Sequence, residues 1–206
     1  MAPTDTIGLG TLLRRARRLS AAQTLDLGVR LCDVLHQAEQ SGLGSSQLGG
    51  RAVLSPDTFE VDRHGALRFR PDRHATDDER PGFRVWAAPE QLSGGAVDVR
   101  AWVFSVGAIL YEAATGDPLF EADTPPAATA LVTGDLDGHL VMTSVRGRLR
   151  AVRPGLEVAV RSALDPAPAQ RPPSPEALRS LLSDLLAADG LLSDDLGVAA
   201  SAALDA

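Results

Sequence analysis

Lysine is absent from this 206-residue chain, and cysteine, tyrosine and long apolar runs are scarce. All 20 basic residues are arginine, which fits a GC-rich coding bias. The single cysteine, Cys32, cannot form an internal disulfide, and no charged-then-apolar leader opens the sequence, so we expect a cytoplasmic location. No apolar run reaches the roughly 18 residues that span a bilayer, so we expect no membrane segment.

The charge balance argues against nucleic acid as a partner. The formal net charge is −7, which disfavours general affinity for phosphate backbones. Four arginines, Arg14, Arg15, Arg17 and Arg18, form a basic patch near the N-terminus. Because no aromatic residues are interleaved with them, a solvated helix face is favoured over a nucleic-acid or membrane site. We therefore expect neither nucleic acid nor a membrane as partner.

Apolar periodicity predicts a mainly helical chain, and its length suits one domain. Turn residues separate a few short strand-like runs from the helices. Helices are predicted at 11–18, 21–40, 101–115, 125–133, 155–164 and 174–188. Short strands are predicted at 52–55, 58–61 and 66–70, and an extended loop at 71–85.

The run AWVFSVGAILYEAATG at 101–116 contains a single formal charge, Glu112. Gly116 and Pro118 follow it in the order typical of a helix C-terminus. A helix that is apolar on all sides requires neighbours on every side. It is therefore predicted to be the buried central helix of the domain.

Three segments resemble a known family, in its order and near its spacing. They are WAAPEQL at 86–92, VFSVGAILYEAATGDPLF at 103–120 and LDPAPAQRPPSPEAL at 164–178. They resemble the large, C-terminal lobe of protein kinases, especially bacterial serine/threonine kinases. The resemblance implies a mainly α kinase C-lobe-like domain with one or two short β-hairpins over 9–189. Residues 1–8 would be an N-terminal extension and 190–206 an acidic-apolar tail, and the small N-terminal lobe is expected to be absent.

The same resemblance implies that the reactive positions are degenerate. The catalytic base falls on Gln47, the metal-binding Asn on Ala52, and the Mg-binding Asp on Pro71, one residue before Asp72. Trp102 stands where kinases carry an Asp that holds the catalytic loop. The expectation is a pseudokinase that is not an enzyme, with no catalytic residue, and it is also similar to the kinase non-catalytic C-lobe domain.

The positions that hold the fold are retained. In the family, a Glu in the Ala-Pro-Glu motif pairs with an Arg late in the lobe, and Glu90 and Arg171 occupy those places here. The resemblance therefore implies a buried structural ion pair. Cys32 and His36 lie one helical turn apart, but the other histidines are scattered, so we expect no metal and no cofactor.

The first functional hypothesis is an adaptor or regulator that binds a protein partner. Residues 117–140 resemble the kinase helix that docks substrates and regulators, and they form one candidate face. Its apolar anchors would be Leu119, Phe120 and Leu131, and its acidic rim Glu121, Asp123, Asp135 and Asp137. The tail is either disordered or a short amphipathic helix that docks on a partner or on the lobe through Leu191, Leu192, Leu196 and Val198.

Two alternatives remain open at this stage. One is half of a split kinase, or a nucleotide-binding unit, that a small lobe completes in trans. The other is a structural subunit of a larger assembly, which would form a homo- or hetero-oligomer through the face that a missing small lobe leaves uncovered. A large apolar interface would distinguish permanent assembly from transient binding.

Overall fold

Helices form most of the described part of the chain, as the periodicity predicts. The computed structural model describes residues 5–42, 53–71, 86–119, 138–188 and 195–205. The helices of these ranges are α1 (Leu9–Ala16), α2 (Ala21–Gln40), α3 (Pro89–Ser93), α4 (Arg100–Thr115), α5 (Gly138–Val152), α6 (Pro154–Ala163), α7 (Pro175–Ala188) and α8 (Asp195–Leu204). The strands are β1 (Thr6–Gly8), β2 (Phe59–Asp62) and β3 (Leu67–Phe69). The predicted fold class, mainly α with short antiparallel strands, is confirmed.

The three strands form one antiparallel sheet in the order β1-β2-β3. Ile7 pairs with Val61, and Val61 pairs with Leu67 on its other side. The turn between β2 and β3 contains Gly65 at a φ of 79°, a conformation that glycine adopts without strain. The β2–β3 hairpin matches the runs predicted at 58–61 and 66–70. By contrast, β1 lies in the segment that the sequence leaves as an extension, and residues 53–55 form no strand.

The central helix α4 is the axis of the core. All of its residues are buried except Arg100, Glu112 and Thr115, which lie at intermediate depth. Helices α2, α6 and α7 pack around it. The packing is close: a Cβ added at Gly107 would lie 2.9 Å from the Cβ of Ala163 on α6. The low charge of α4 follows from this position, because a charged side chain inside would lose its hydration.

The predicted helix ends agree with the structure where local signals exist. Helix α2 begins at a capping box, in which Ser20 Oγ accepts from Gln23 N and Gln23 Oε1 accepts from Ser20 N. Helix α4 ends at Gly116, whose φ of 82° is left-handed. Helices α3 and α5 were not predicted, and the helix predicted at 125–133 lies outside the described residues. No helix in the described ranges combines the length and apolarity needed to cross a membrane.

Candidate functional site

Glu90 and Arg171, predicted to form a structural ion pair, make a two-pronged contact. Nη1 and Nη2 of Arg171 donate to the two carboxylate oxygens of Glu90 at 2.7 and 2.8 Å. The Arg171 side chain is fully buried, and Glu90 is buried beside it. This parallel geometry is the strongest form of an Arg–carboxylate contact.

The other N–H groups of Arg171 bind backbone carbonyls. Nε donates to the carbonyl of Asp165 at 2.6 Å, Nη2 to that of Pro166 at 3.2 Å, and Nη1 to that of Arg100 at 3.1 Å. The guanidinium also lies 4.9 Å from the ring centroid of Phe104. All five donors are therefore satisfied, and one side chain joins α3, the start of α4 and the segment after α6.

Trp102 fills the core between α4 and the hairpin. It is fully buried, and its ring meets Phe69 edge-on, with the ring centroids 6.2 Å apart. The ring centroids of Phe69 and Phe59 are in turn 5.5 Å apart. The indole Nε1 is buried and has no hydrogen-bond partner among the described residues. Within the described ranges, Trp102 therefore contributes to the fold through the packing of its ring and not through a polar contact.

Few of the predicted reactive positions can be placed. Pro71 is described, and it lies at intermediate depth after β3. Gln47, Ala52 and Asp72 lie outside the described residues. Cys32 is buried, and burial raises the pKa of its thiol, which makes the thiolate scarce. Within the described ranges, no group of three or more His, Cys, Asp and Glu side chains could hold a metal ion.

The candidate partner face is mostly outside the described ranges too. Leu119, its first apolar anchor, is partly buried and packs against the core of its own chain. The other anchors and rim residues lie outside the described part, as do two of the tail leucines: Phe120, Glu121, Asp123, Leu131, Asp135, Asp137, Leu191 and Leu192. Of the residues predicted for this face, the structure therefore describes only Leu119.

The described part of the tail forms helix α8, which packs on the rest of the domain. The carboxylate of Asp26, buried in α2, accepts from the backbone N–H of Leu196 at 3.0 Å and from Arg30 Nε at 2.9 Å. It therefore satisfies one of the free N–H groups that begin α8. Leu196 itself is fully buried against its own chain. This corrects its place among the partner-binding candidates, since the side chain is not offered to another protein.

Two further contacts hold α8 on the lobe. The backbone of Gly197 lies directly on the β2–β3 turn, so that a Cβ added at Gly65 would lie 2.8 Å from the Gly197 nitrogen. At the other end of α8, Arg15 donates to the carbonyl of Ala203. The sequence left three alternatives open for the tail: disorder, docking on a partner and docking on its own domain. In the structure, residues 195–205 dock on their own domain.

Replacing Asp26 with Ala is expected to release α8. The change leaves the buried Leu196 N–H without its acceptor, which costs about 1–3 kcal/mol. Amide hydrogen exchange at 195–205 should become faster than exchange in α4. Replacing Asp33, which pairs with Arg179 at a half-exposed site, is the control and should leave exchange in α8 unchanged. Unchanged protection of α8 in the Asp26 variant would contradict this role.

Glu112, the only formal charge in the apolar run, is held by an aromatic donor. Trp86 Nε1 donates to Glu112 Oε2 at 2.9 Å. Burial raises the pKa of Glu112, while the Trp86 hydrogen bond and nearby Arg14 partly offset that increase. The folded state therefore binds the proton more tightly than the unfolded chain does.

This raised pKa predicts a pH dependence of stability. As pH rises through the window between the unfolded and folded pKa values of Glu112, the unfolded chain loses its proton first, so the folded state loses stability. Glu112→Gln keeps an acceptor for Trp86 but cannot ionise. The stability of the Gln variant relative to wild type should increase with pH across that window and then level off. Urea unfolding at several pH values checks this, and a difference that falls with pH would contradict it.

A cleft that the sequence did not predict lies where α1, α2, α4 and α5 meet. It has two adjoining parts of about 550 and 440 Å³, which share Arg18, Thr115 and Asp117. We call this the arginine cleft. Its lining residues are Leu13, Arg14, Arg17, Arg18, Leu19, Ser20, Ala21, Glu112, Ala114, Thr115, Gly116, Asp117, Arg148, Ala151 and Val152.

Arg148 contributes to the cleft from a distant part of the chain. Its Nη1 donates to Asp117 Oδ2 at 2.7 Å. The pKa of Tyr111 is raised, chiefly by burial, and its interaction with Arg148 opposes that increase. The basic patch at 14–18 was visible in the sequence, but no local pattern relates it to Arg148.

The chain is similar to named bacterial proteins over about half of its length. It is 46% identical over 126 residues, 59% of this chain, to serine/threonine-protein kinase PknB of Mycobacterium tuberculosis. It is 46% identical over 107 residues, 50% of the chain, to PknB of Mycobacterium leprae, and 35% identical over 98 residues, 48% of the chain, to serine/threonine-protein kinase PksC of Streptomyces coelicolor. A kinase-like fold is supported. No family model matches the chain.

These relatives correct one expectation. The aligned regions span only 17–20% of the relatives' own length. The relatives are nevertheless named as protein kinases, which are enzymes. The expectation that this chain is not an enzyme is therefore contradicted.

Proposed function

We propose that this chain is a kinase-lobe-like module that binds a protein partner and acts as an adaptor or regulator. The arginine cleft is the observation that supports it. The cleft is open and lined by charged and small side chains from several elements, whereas small-molecule sites are mostly enclosed and apolar. An open groove with a charged rim suits an extended polypeptide. The relatives' names, which designate kinases of protein serine and threonine, point to the same partner class.

Site-specific photo-crosslinking tests the proposal. Ala151 is exposed and lines the cleft, so it can be replaced by p-benzoylphenylalanine without burying the probe. Leu181 on α7 is 45% exposed and does not line the cleft, which makes it the matched control position. In a lysate of the encoding organism, we expect one protein, identified by mass spectrometry, to crosslink at 151 and not at 181. Products that are equal at both positions, or absent at 151, would contradict the proposal.

A second candidate follows from the names of the relatives. Phosphoryl transfer, with a small lobe supplied in trans, would make this chain one half of a kinase. It requires nucleotide binding, and ligand binding raises the melting temperature. An increase in melting temperature of roughly 4 °C or more on addition of Mg²⁺ and ATP would favour phosphoryl transfer. The measurement is made in the presence of the partner that crosslinking has identified. Partner binding alone predicts no nucleotide-dependent shift.

A further inference from the structure

The arginine cleft has more positive charge than its own acidic residues balance. Arg148 is paired with Asp117, and Arg14 donates to the neutral hydroxyl of Thr11 at 3.0 Å. Arg17 and Arg18 are exposed, and neither forms an ion pair with another described residue. Two guanidinium groups thus face solvent at the rim of an open groove, although the chain as a whole is acidic.

The backbone that carries these two arginines is held in an unusual conformation. Arg17 has a φ of 61°, which is uncommon for any residue other than glycine. The next two residues are fixed by short bonds: Arg18 N donates to the carbonyl of Ala16, and Leu19 N to that of Ala113 on α4, both at 2.7 Å. Strained backbone that its surroundings hold in place is a feature of ligand sites.

Close packing keeps this strained segment against the end of α4. A Cβ added at Gly116 would lie 2.6 Å from the carbonyl oxygen of Arg17, so only glycine allows the approach. Fixed backbone reduces the entropy that a rim side chain loses when it binds a ligand. The backbone beneath the two arginines is therefore already fixed before a partner binds.

The rest of the lining selects among anionic partners. Asp117 and Glu112 lie among the arginines and repel any anion placed beside them. A phosphate backbone carries a charge on every unit and cannot avoid them, whereas a peptide can place its carboxylates at Arg17 and Arg18 alone. Among the described side chains that line the cleft, none is aromatic, so no base could stack on them. Ala114, Ala151 and Val152 provide small apolar surface between the charges. This alternation fits a polypeptide with spaced carboxylates better than it fits a nucleic acid.

We infer that the arginine cleft binds an acidic peptide segment of a partner protein, whose Glu or Asp side chains pair with Arg17 and Arg18. The inference rests on the proposed function, and it adds the chemical class of the partner. Guanidinium groups bind carboxylates through two parallel hydrogen bonds, which give orientation as well as attraction. Because the cleft is open to solvent, its affinity decreases as salt increases.

Fluorescence anisotropy with two labelled peptides tests this on the full chain. The probes are a Glu-Ala repeat peptide and the matching Gln-Ala repeat peptide. We expect the Glu peptide to bind, the Gln peptide to fail, and the double variant Arg17→Glu/Arg18→Glu to bind the Glu peptide about tenfold more weakly or worse. Arg17→Lys/Arg18→Lys, which keeps the charge, should retain part of the binding even where the double Glu variant folds poorly.

The control replaces arginines outside the cleft. Arg146 and Arg150 are exposed on α5 and do not line the cleft, so Arg146→Glu/Arg150→Glu changes the net charge equally. Binding should survive in this control. Equal loss in the control, equal binding of the Gln peptide, or preferential binding of a single-stranded oligonucleotide would each overturn the inference. If the partner crosslinks at 151 as strongly in the Arg17/Arg18 variant as in wild type, the partner class is wrong while partner binding stands.

Discussion

Replacing Glu90 with Ala is expected to lower the free energy of unfolding by about 3–5 kcal/mol, because the change leaves the fully buried Arg171 charge without its carboxylate. Arg171 also binds backbone carbonyls of two other segments, at Arg100 and at residues 165–166, so a shifted guanidinium disturbs both of them. Urea unfolding followed by circular dichroism measures the change. We expect the loss to be among the largest that a single substitution causes in this chain.

A solvent-exposed pair serves as the control for Glu90. Asp5 pairs with Arg63 at 3.0 Å, where Asp5 is well exposed and Arg63 partly exposed, so Asp5→Ala is expected to cost less than about 1 kcal/mol. The double variant Glu90→Ala/Arg171→Ala should lose less than the sum of the two single changes, because it removes both charges together. A Glu90→Ala loss no larger than that of Asp5→Ala would show that the pair does not hold the fold.

Replacing Trp102 with Ala is expected to cost about 3–5 kcal/mol, because it opens a large cavity between α4 and the hairpin. Trp102→Phe should cost only about 1–2 kcal/mol, since an aromatic ring is kept and no hydrogen bond is lost within the described residues. Far-UV circular dichroism during urea unfolding measures both, because it does not depend on the tryptophan that is removed.

Trp86 provides the matched comparison. Its Nε1 donates to the Glu112 carboxylate, so Trp86→Phe removes a hydrogen bond to a charged group, which costs about 1.5–3 kcal/mol. The two Trp→Phe variants therefore separate ring packing from hydrogen bonding. A Trp102→Phe variant as unstable as Trp102→Ala would mean that the buried indole N–H has a partner after all.

Stability and partner binding can be tested separately in this molecule. Glu90 and Trp102 are buried and hold the lobe together, whereas Arg17 and Arg18 are exposed at the rim of the cleft. Variants of the first pair change unfolding, and variants of the second pair change peptide affinity. Unfolding measurements on the rim variants therefore show whether a change in peptide affinity arises without a loss of fold.

Elements with strong local signals could be predicted closely. Helices α2, α4, α6 and α7 were anticipated within about two residues at each end, because apolar periodicity and the Gly116 stop signal act over a few neighbouring residues. Strand β1 and helix α3 are too short to establish a period. Helix α5 contains two glycines, which weaken the helical signal.

The sequence by itself determined which segments become helices and which residue types face the core, since these depend on spacing along the chain. It also paired Glu90 with Arg171, through the kinase resemblance. Only the tertiary structure decided that the tail folds back onto Asp26, and that Arg148 meets Arg18 at one cleft. Both arrangements bring together residues more than a hundred positions apart. The packing of whole elements selects them, and local sequence patterns carry no information about that packing.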